Sequence, residues 1–236
     1  GGKMPHCAGV VPGGATSTPT VDKIASFLWR LNEIRDFIDN VYIPDVIAVA
    51  EAYSDYFEIG QGCGNLLSYG VFDLDGSEPD YSRRKRALVQ GTVSADLQLS
   101  PLNPSKIAED VRHSWYENST SGLNPVHGQT APLVEKSGAY SWLKAPRYDG
   151  QVYEVGPLAR MVATYAAGDE TVRSLVDSTL QHFKASPKAL FSVLGRHAAR
   201  ALECKIVADW MSEWVLQLKP DEPAYVAYTI PDEAHG

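Results

Sequence analysis

Three cysteines, Cys7, Cys63 and Cys204, and six histidines are the residues of this chain best suited to hold a metal or carry nucleophilic chemistry. A zinc-type site needs a CxxC pair, or HxxxH or HExxH on a helix, so that two donors reach one ion from one turn or one face. None of those spacings occurs. Cysteines that are far apart and odd in number do not form a disulfide framework, and each is expected to be a small buried hydrophobe. Acyl-transfer chemistry through His127 or His197 would need a serine or cysteine in an elbow context, and none is placed so.

Two further clusters carry charge or backbone freedom. Gly60-Gln-Gly-Cys-Gly has the look of a phosphate-cradling loop. A dinucleotide fingerprint, however, needs GxGxxG opening a helix, and here the spacing is GxGxG before an expected strand. The expectation is a tight turn that uses positive φ. On a helix, Arg196, Arg200 and Glu203 stand at i, i+4 and i+7 and share one face. They form either an intrahelical ion-pair ladder or a polar stripe against a neighbouring element. Arg83-Arg84-Lys85-Arg86 is the one dense basic run, but Asp75, Glu78 and Asp80 precede it and nearly cancel it. It reads as a solvated turn leading into a strand. With a formal net charge of −8, nucleic acid is not an expected partner. Asn118-Ser-Thr matches the glycosylation triplet, which has meaning only in a eukaryotic secretory context.

The elements that must position these residues follow from periodicity. At 236 residues, 44% hydrophobic and 21% charged, the chain can bury a sizeable core. No apolar run approaches the roughly 20 residues that span a bilayer, and the first residues show no secretory signal pattern. Residues 1–20 read as an ordered turn system, with Thr20 as an N-cap. Ile24, Leu28, Leu31, Ile34, Phe37, Ile38 and Val41 then recur at three- and four-residue steps, the mark of a long amphipathic helix. Pro44 should interrupt it, and a second helix is expected over 45–56.

The middle of the chain holds short β-type runs at Val71-Phe-Asp-Leu, Ala87-Leu-Val and Thr92-Val between turn signals. A short helix is expected over 107–116, then a loop-rich stretch over 118–150 anchored by Tyr140, Trp142 and Tyr148. Helices are expected over 155–167 and 170–185, punctuated by Gly168 and Asp169. Ser186-Pro187 should open a last helix over 186–218, about 45 Å long at about 1.5 Å per residue. The fold class is mainly α with a small antiparallel β insert (α+β).

Longer motifs add a resemblance. Gly1-Gly-Lys-Met-Pro-His-Cys with Val11-Pro-Gly-Gly-Ala-Thr, Asp36-Phe-Ile-Asp-Asn-Val-Tyr-Ile-Pro-Asp and Tyr56-Phe-Glu-Ile-Gly-Gln-Gly-Cys-Gly-Asn-Leu-Leu-Ser-Tyr-Gly resemble segments of [NiFe]-hydrogenase large subunits. So do Tyr140-Ser-Trp-Leu-Lys-Ala-Pro-Arg-Tyr-Asp-Gly, Glu154-Val-Gly-Pro-Leu-Ala-Arg and Gly195-Arg-His-Ala-Ala-Arg-Ala-Leu-Glu. The motifs follow the family's order along the whole chain, and they most resemble the uptake, periplasm-facing group.

That resemblance implies part of the hydrogenase large-subunit helical fold and reversible oxidation of H₂ to protons and electrons. It implies a nickel–iron centre with CO and cyanide ligands and iron–sulfur clusters in a partner small subunit. It also implies a redox carrier such as a cytochrome or ferredoxin, and a periplasmic or membrane-associated place reached by export with the small subunit. Such a centre needs soft sulfur donors. The family's two CxxC pairs, one near each end, are both absent here, so 1–236 reads as a single partial domain, the central segment of a longer large subunit. The metal ligands are absent from this chain, and alone it is expected to be inactive. The alternative is a non-catalytic, hydrogenase-like scaffold that lacks the metal site. One residue carries over: His6, in the Pro5-His6 pair, matches the histidine that approaches the small subunit's proximal iron–sulfur cluster.

Overall fold

The computed structural model describes residues 9–80 and 82–229. The chain divides into two compact units, one from Gly1–Ala48 with Ala201–Gly236 and one from Val49–Arg200. Antiparallel sheets and helices together confirm the α+β class.

In the first unit, β1 (Val10–Val11) and β2 (Gly14–Ala15) form a tight antiparallel pair. Gly13 and Gly14 are both at positive φ, and a Cβ on either would strike backbone of the 224–226 segment. That segment runs alongside: Ala15 donates to the Ala224 carbonyl at 2.8 Å and Val226 to that of Gly13 at 3.0 Å. Helix α1 (Val21–Phe37) starts where expected, with the Thr20 hydroxyl accepting from the Lys23 amide at 3.3 Å. Its buried residue Leu31 packs with Ile38 and Ala208, flanked by Ile43 and Met211.

Pro44 does not break the helix. Proline would clash with the carbonyl four residues back in a regular turn. The backbone widens instead into a π turn at Ile38–Tyr42, where the Ile43 amide donates to the Ile38 carbonyl five residues back. Helix α2 (Ile43–Ala52) follows directly.

The second unit is built on short strands. β3 (Leu66–Ser68), β6 (Gly91–Val93) and β7 (Leu99–Ser100) form one antiparallel sheet, with Leu67 opposite Thr92 and Val93 opposite Leu99. β4 (Val71–Asp73) pairs with β5 (Arg86–Leu88). The hairpin runs expected from the sequence are therefore present. The helix expected over 107–116 is not. Ile107–Asp110 is strand β8, paired with β9 (Ala145–Tyr148) in a register that sets Ile107 opposite Tyr148.

Helix α3 (Pro157–Ala167) packs on β3, β5, β6 and β7 and on α4 (Glu170–His182). Leu66, Leu88, Val93, Met161, Val162 and Val172 are buried there. Polar groups within this core are paired. The Thr164 hydroxyl donates to the Arg160 carbonyl at 2.8 Å and accepts from the Val89 amide at 3.0 Å, and the Ser68 hydroxyl donates to the Val89 carbonyl at 2.6 Å. Gly168 ends α3 in the left-handed conformation, and the Asp169 carboxylate caps α4 by accepting from the Val172 amide.

The long last helix starts later than expected. Pro187–Leu190 is a separate 3₁₀ turn, and α5 runs over Val193–Val215. A Cβ on Gly195 would strike the Leu190 backbone, so the 3₁₀ turn folds back onto the first turn of α5. No helix among the described residues is long and apolar enough to cross a membrane.

Candidate functional site

Gly60, Gly62 and Gly64 all adopt positive φ, between 70° and 74°. The 60–64 loop is therefore the tight turn its sequence implied, and steric contact explains the need for glycine. A Cβ on Gly60 would lie 2.7 Å from Val193 Cγ2, and one on Gly62 would lie 2.7 Å from an Arg196 terminal nitrogen. Backbone bonds fasten the loop on both sides. Val193 donates to the Ile59 carbonyl at 3.0 Å, Glu154 to the Asn65 carbonyl at 2.8 Å, and Leu67 to the Glu154 carbonyl at 2.8 Å.

Arg196, in the first turn of α5, closes the arrangement. Its Nε and one terminal nitrogen donate to the two Glu154 carboxylate oxygens, each at 2.6 Å, and its other terminal nitrogen donates to the Gly60 carbonyl. Both side chains are about three-quarters buried, at 25% and 26% exposed. The Glu154 hydrogen bonds push the Arg196 pKa further up, so the guanidinium stays charged. Arg196 is thus a stripe residue against a neighbouring element; its own carboxylate partner lies 42 positions away. Sequence spacing could not find Glu154, because nothing local links the two.

The basic run departs from its expected solvated turn. Arg83 is exposed, but Arg84 and Arg86 converge on Asp73 at 2.8 and 3.0 Å, with Arg86 only 4% exposed. Arg86 also donates to the Tyr69 carbonyl and the Gln90 side chain. Arg84 first, then Arg86, hold the Asp73 carboxyl below the usual carboxylate range.

The residues best suited to metal chemistry are not gathered. Cys63 and Cys204 are exposed, not buried hydrophobes, because one lies on the glycine loop and the other on the outer side of α5. Cys7, His6 and His235 lie outside the described residues. His113 stacks on Tyr140, His182 pairs with Glu51 at 3.0 Å, His127 sits in a 3₁₀ turn and His197 is exposed. Among the described residues no three or more His, Cys, Asp or Glu side chains converge to hold a metal ion.

Residues 1–233 match the profile of the family described as nickel-dependent hydrogenase. This chain belongs to that family. It is 36% identical to the periplasmic [NiFeSe] hydrogenase large subunit of Desulfomicrobium baculatum, covering 100% of this chain and 46% of that protein. It is also 36% identical to the uptake hydrogenase large subunit of Azotobacter chroococcum, covering 91% and 42%. The fold resembles the Ni-Fe-Se hydrogenase of D. vulgaris Hildenborough in the reduced state, with a TM-score of 0.81 and 36% identity. That match covers 98% of this chain and 48% of the other. The chain thus spans about half the length of the hydrogenase relatives it matches.

Nickel and iron in a hydrogenase call for soft sulfur donors. The described donor set does not fit such a centre: among the described residues neither Cys63 nor Cys204 belongs to a group of three or more His, Cys, Asp or Glu side chains that could hold a metal ion. The clamp of Glu154, Arg196 and Gly60 is a support for the glycine loop.

Proposed function

We propose that this chain is part of the catalytic large subunit of a [NiFe] hydrogenase that interconverts H₂ with protons and electrons. What supports the reading most is the unbroken similarity to hydrogenase large subunits from one end of the chain to the other, at 36% identity. On this reading 1–236 is a single partial domain from the centre of the subunit. The nickel–iron centre, with CO and cyanide ligands, then takes its thiolates from the part of the relatives that this chain does not cover. A small subunit carrying iron–sulfur clusters is the partner, H₂ is the substrate, and a cytochrome or ferredoxin is the carrier. The place is periplasmic or at the periplasmic face of a membrane, in keeping with the name of the D. baculatum relative. His6 approaches the small subunit's nearest cluster and tunes its potential by hydrogen bonding. For that role, His6→Ala in the complete heterodimer should shift the cluster's reduction potential, and an unmoved potential overturns it.

The whole reading is tested on the natural protein purified from its source, by intact mass, nickel content and H₂-dependent dye reduction. A mass well above 25.8 kDa, with about one nickel and H₂-dependent reduction, is expected. A 25.8 kDa protein that binds no nickel would make it a non-catalytic homologue instead.

A further inference from the structure

The Tyr140–Gly150 motif, which the support of the glycine loop does not use, builds one wall of a 310 Å³ cavity in the second unit. Its polar lining is dominated by cations. The register of β8 and β9 sets Ala145 opposite Asp110 and Arg147 opposite Ala108, and alternate residues share a sheet face. Arg147 therefore stands on the face of Asp110, and Arg112 follows two residues on, its amide bonded to the Asp110 carboxylate at 2.8 Å. The Ser121 hydroxyl also donates to that carboxylate, at 3.1 Å. Asp110 is thereby satisfied by neutral donors. Among the described residues neither Arg112 nor Arg147 has a carboxylate within 4 Å; Arg147 donates only to the neighbouring Pro146 carbonyl. Lys144 is neutralised by Glu109 at 2.9 Å, so the two guanidinium groups supply the cavity's available charge. Both also lower the Asp110 pKa, after the larger effect of the Arg112 amide hydrogen bond.

The cavity also has an apolar side. Tyr140 is 75% exposed and Leu143 is 80% exposed, and both line it, with His113 stacked on the tyrosine ring at 5.8 Å. A volume of 310 Å³ is at the lower end of small-molecule sites and is more than a bare inorganic ion needs.

We propose that this cavity binds a small organic anion, with its carboxylate or phosphate head on Arg112 and Arg147 and its apolar body against Tyr140 and Leu143. Paired guanidinium donors recognise such oxyanions through charge-assisted hydrogen bonds. This site is independent of the hydrogenase reading above, and it predicts opposite effects for neighbouring substitutions. Removing a cation weakens binding. Asp110→Asn keeps both acceptor bonds through the amide oxygen yet removes the repelling charge, so it tightens binding.

The test uses the complete natural protein with benzoate as probe and benzyl alcohol as its neutral counterpart, read by ligand-observed NMR titration. Benzoate should bind saturably, and benzyl alcohol at least about 10-fold more weakly, the loss expected from one charged hydrogen bond. Arg112→Gln and Arg147→Gln should each weaken benzoate about 10-fold, and Asp110→Asn should strengthen it. Arg112 is exposed and outside the strands, so Arg112→Gln carries the test even where Arg147→Gln disturbs folding. Equal binding of benzoate and benzyl alcohol would overturn the proposal. So would weakening by Asp110→Asn, or the absence of saturable benzoate binding.

Discussion

The two compact units spend their apolar residues differently. In the second, α3 is covered on several sides: Leu158, Ala159, Met161, Val162 and Ala163 are all buried, and Leu88 and Val172 are wholly so. In the first, α1 is less apolar overall but carries larger apolar side chains, and Leu31 is its buried residue while Phe27, Trp29, Ile34 and Phe37 are exposed. Helix α3 completes its packing within its own unit, and α1 does not. Several large apolar side chains left exposed on one helix are the kind of surface that another body covers. The chain spans about half of its hydrogenase relatives, and under the function proposed above the exposed side of α1 is a candidate for such a cover.

If that comparison holds, the largest effects of substitution belong to the second unit. Leu88→Ala should destabilise that unit by about 2–5 kcal/mol, because the leucine is fully enclosed and its truncation leaves a void in the core. Denaturant unfolding followed by hydrogen exchange in α3 reads this directly; a loss under about 1 kcal/mol would mean that the core is looser than its burial implies.

Next in size is the Arg196 clamp. Arg196→Gln removes the paired bond to Glu154 and leaves that carboxylate partly buried without its cation, at a cost of about 1–3 kcal/mol. Amide exchange across 60–64 should rise with it. Lys at the same position should rescue only in part, since an ammonium cannot reach both oxygens and the Gly60 carbonyl at once. Full rescue by Lys would reduce the clamp to a simple charge pair.

Much of this was legible in the residues, and the rest failed for identifiable reasons. The starts of α1 and α4 follow from Thr20 and Asp169, whose effects reach only across one turn, whereas α3 begins at Pro157, two residues later than its expected start. Strand β8 is hard to tell from helix because Ile107-Ala-Glu-Asp has no decisive period, and its partner β9 begins 38 residues after β8 does. The turn at Ile38–Tyr42 was hidden because proline limits the backbone without saying whether it breaks or widens the helix. At the site, the three loop glycines pointed to positive φ, but the Glu154 partner of Arg196 is a product of tertiary folding alone. Exposure of Cys63 and Cys204 likewise depends on which helix or loop side faces outward.

Titration should separate the units more gently. Asp73, in the second, has a folded pKa below its unfolded value, so its contribution is present above pH about 3.9 and is lost as pH falls through the folded value. The stability difference between wild type and Asp73→Asn should therefore shrink only on the acid side. Lys205, in the first, is held chiefly by Asp39 and also by Asp209, and its pKa is raised. Its contribution is complete below pH about 10.4 and is lost as pH rises through the folded value. Acid unfolding that ignores Asp73→Asn, or alkaline unfolding that ignores Lys205→Met, would break the assignment.

The smallest effect is the most telling. Ile34 lies on α1 and is 54% exposed, so Ile34→Ala in the 236-residue chain should change stability by no more than about 0.5 kcal/mol. The chain should bind a hydrophobic dye through the same face. In the natural protein purified from its source, an Ile34 side chain covered by another segment would give Ile34→Ala a cost of about 2–5 kcal/mol, the range for a buried isoleucine. The comparison thus turns on one side chain measured in two contexts. A cost that grows from near zero to that range says the α1 face is an internal surface of a larger body. A cost that stays near zero in both says that α1 is a solvent-facing helix despite its sequence, and the contrast between the units would then reflect composition alone.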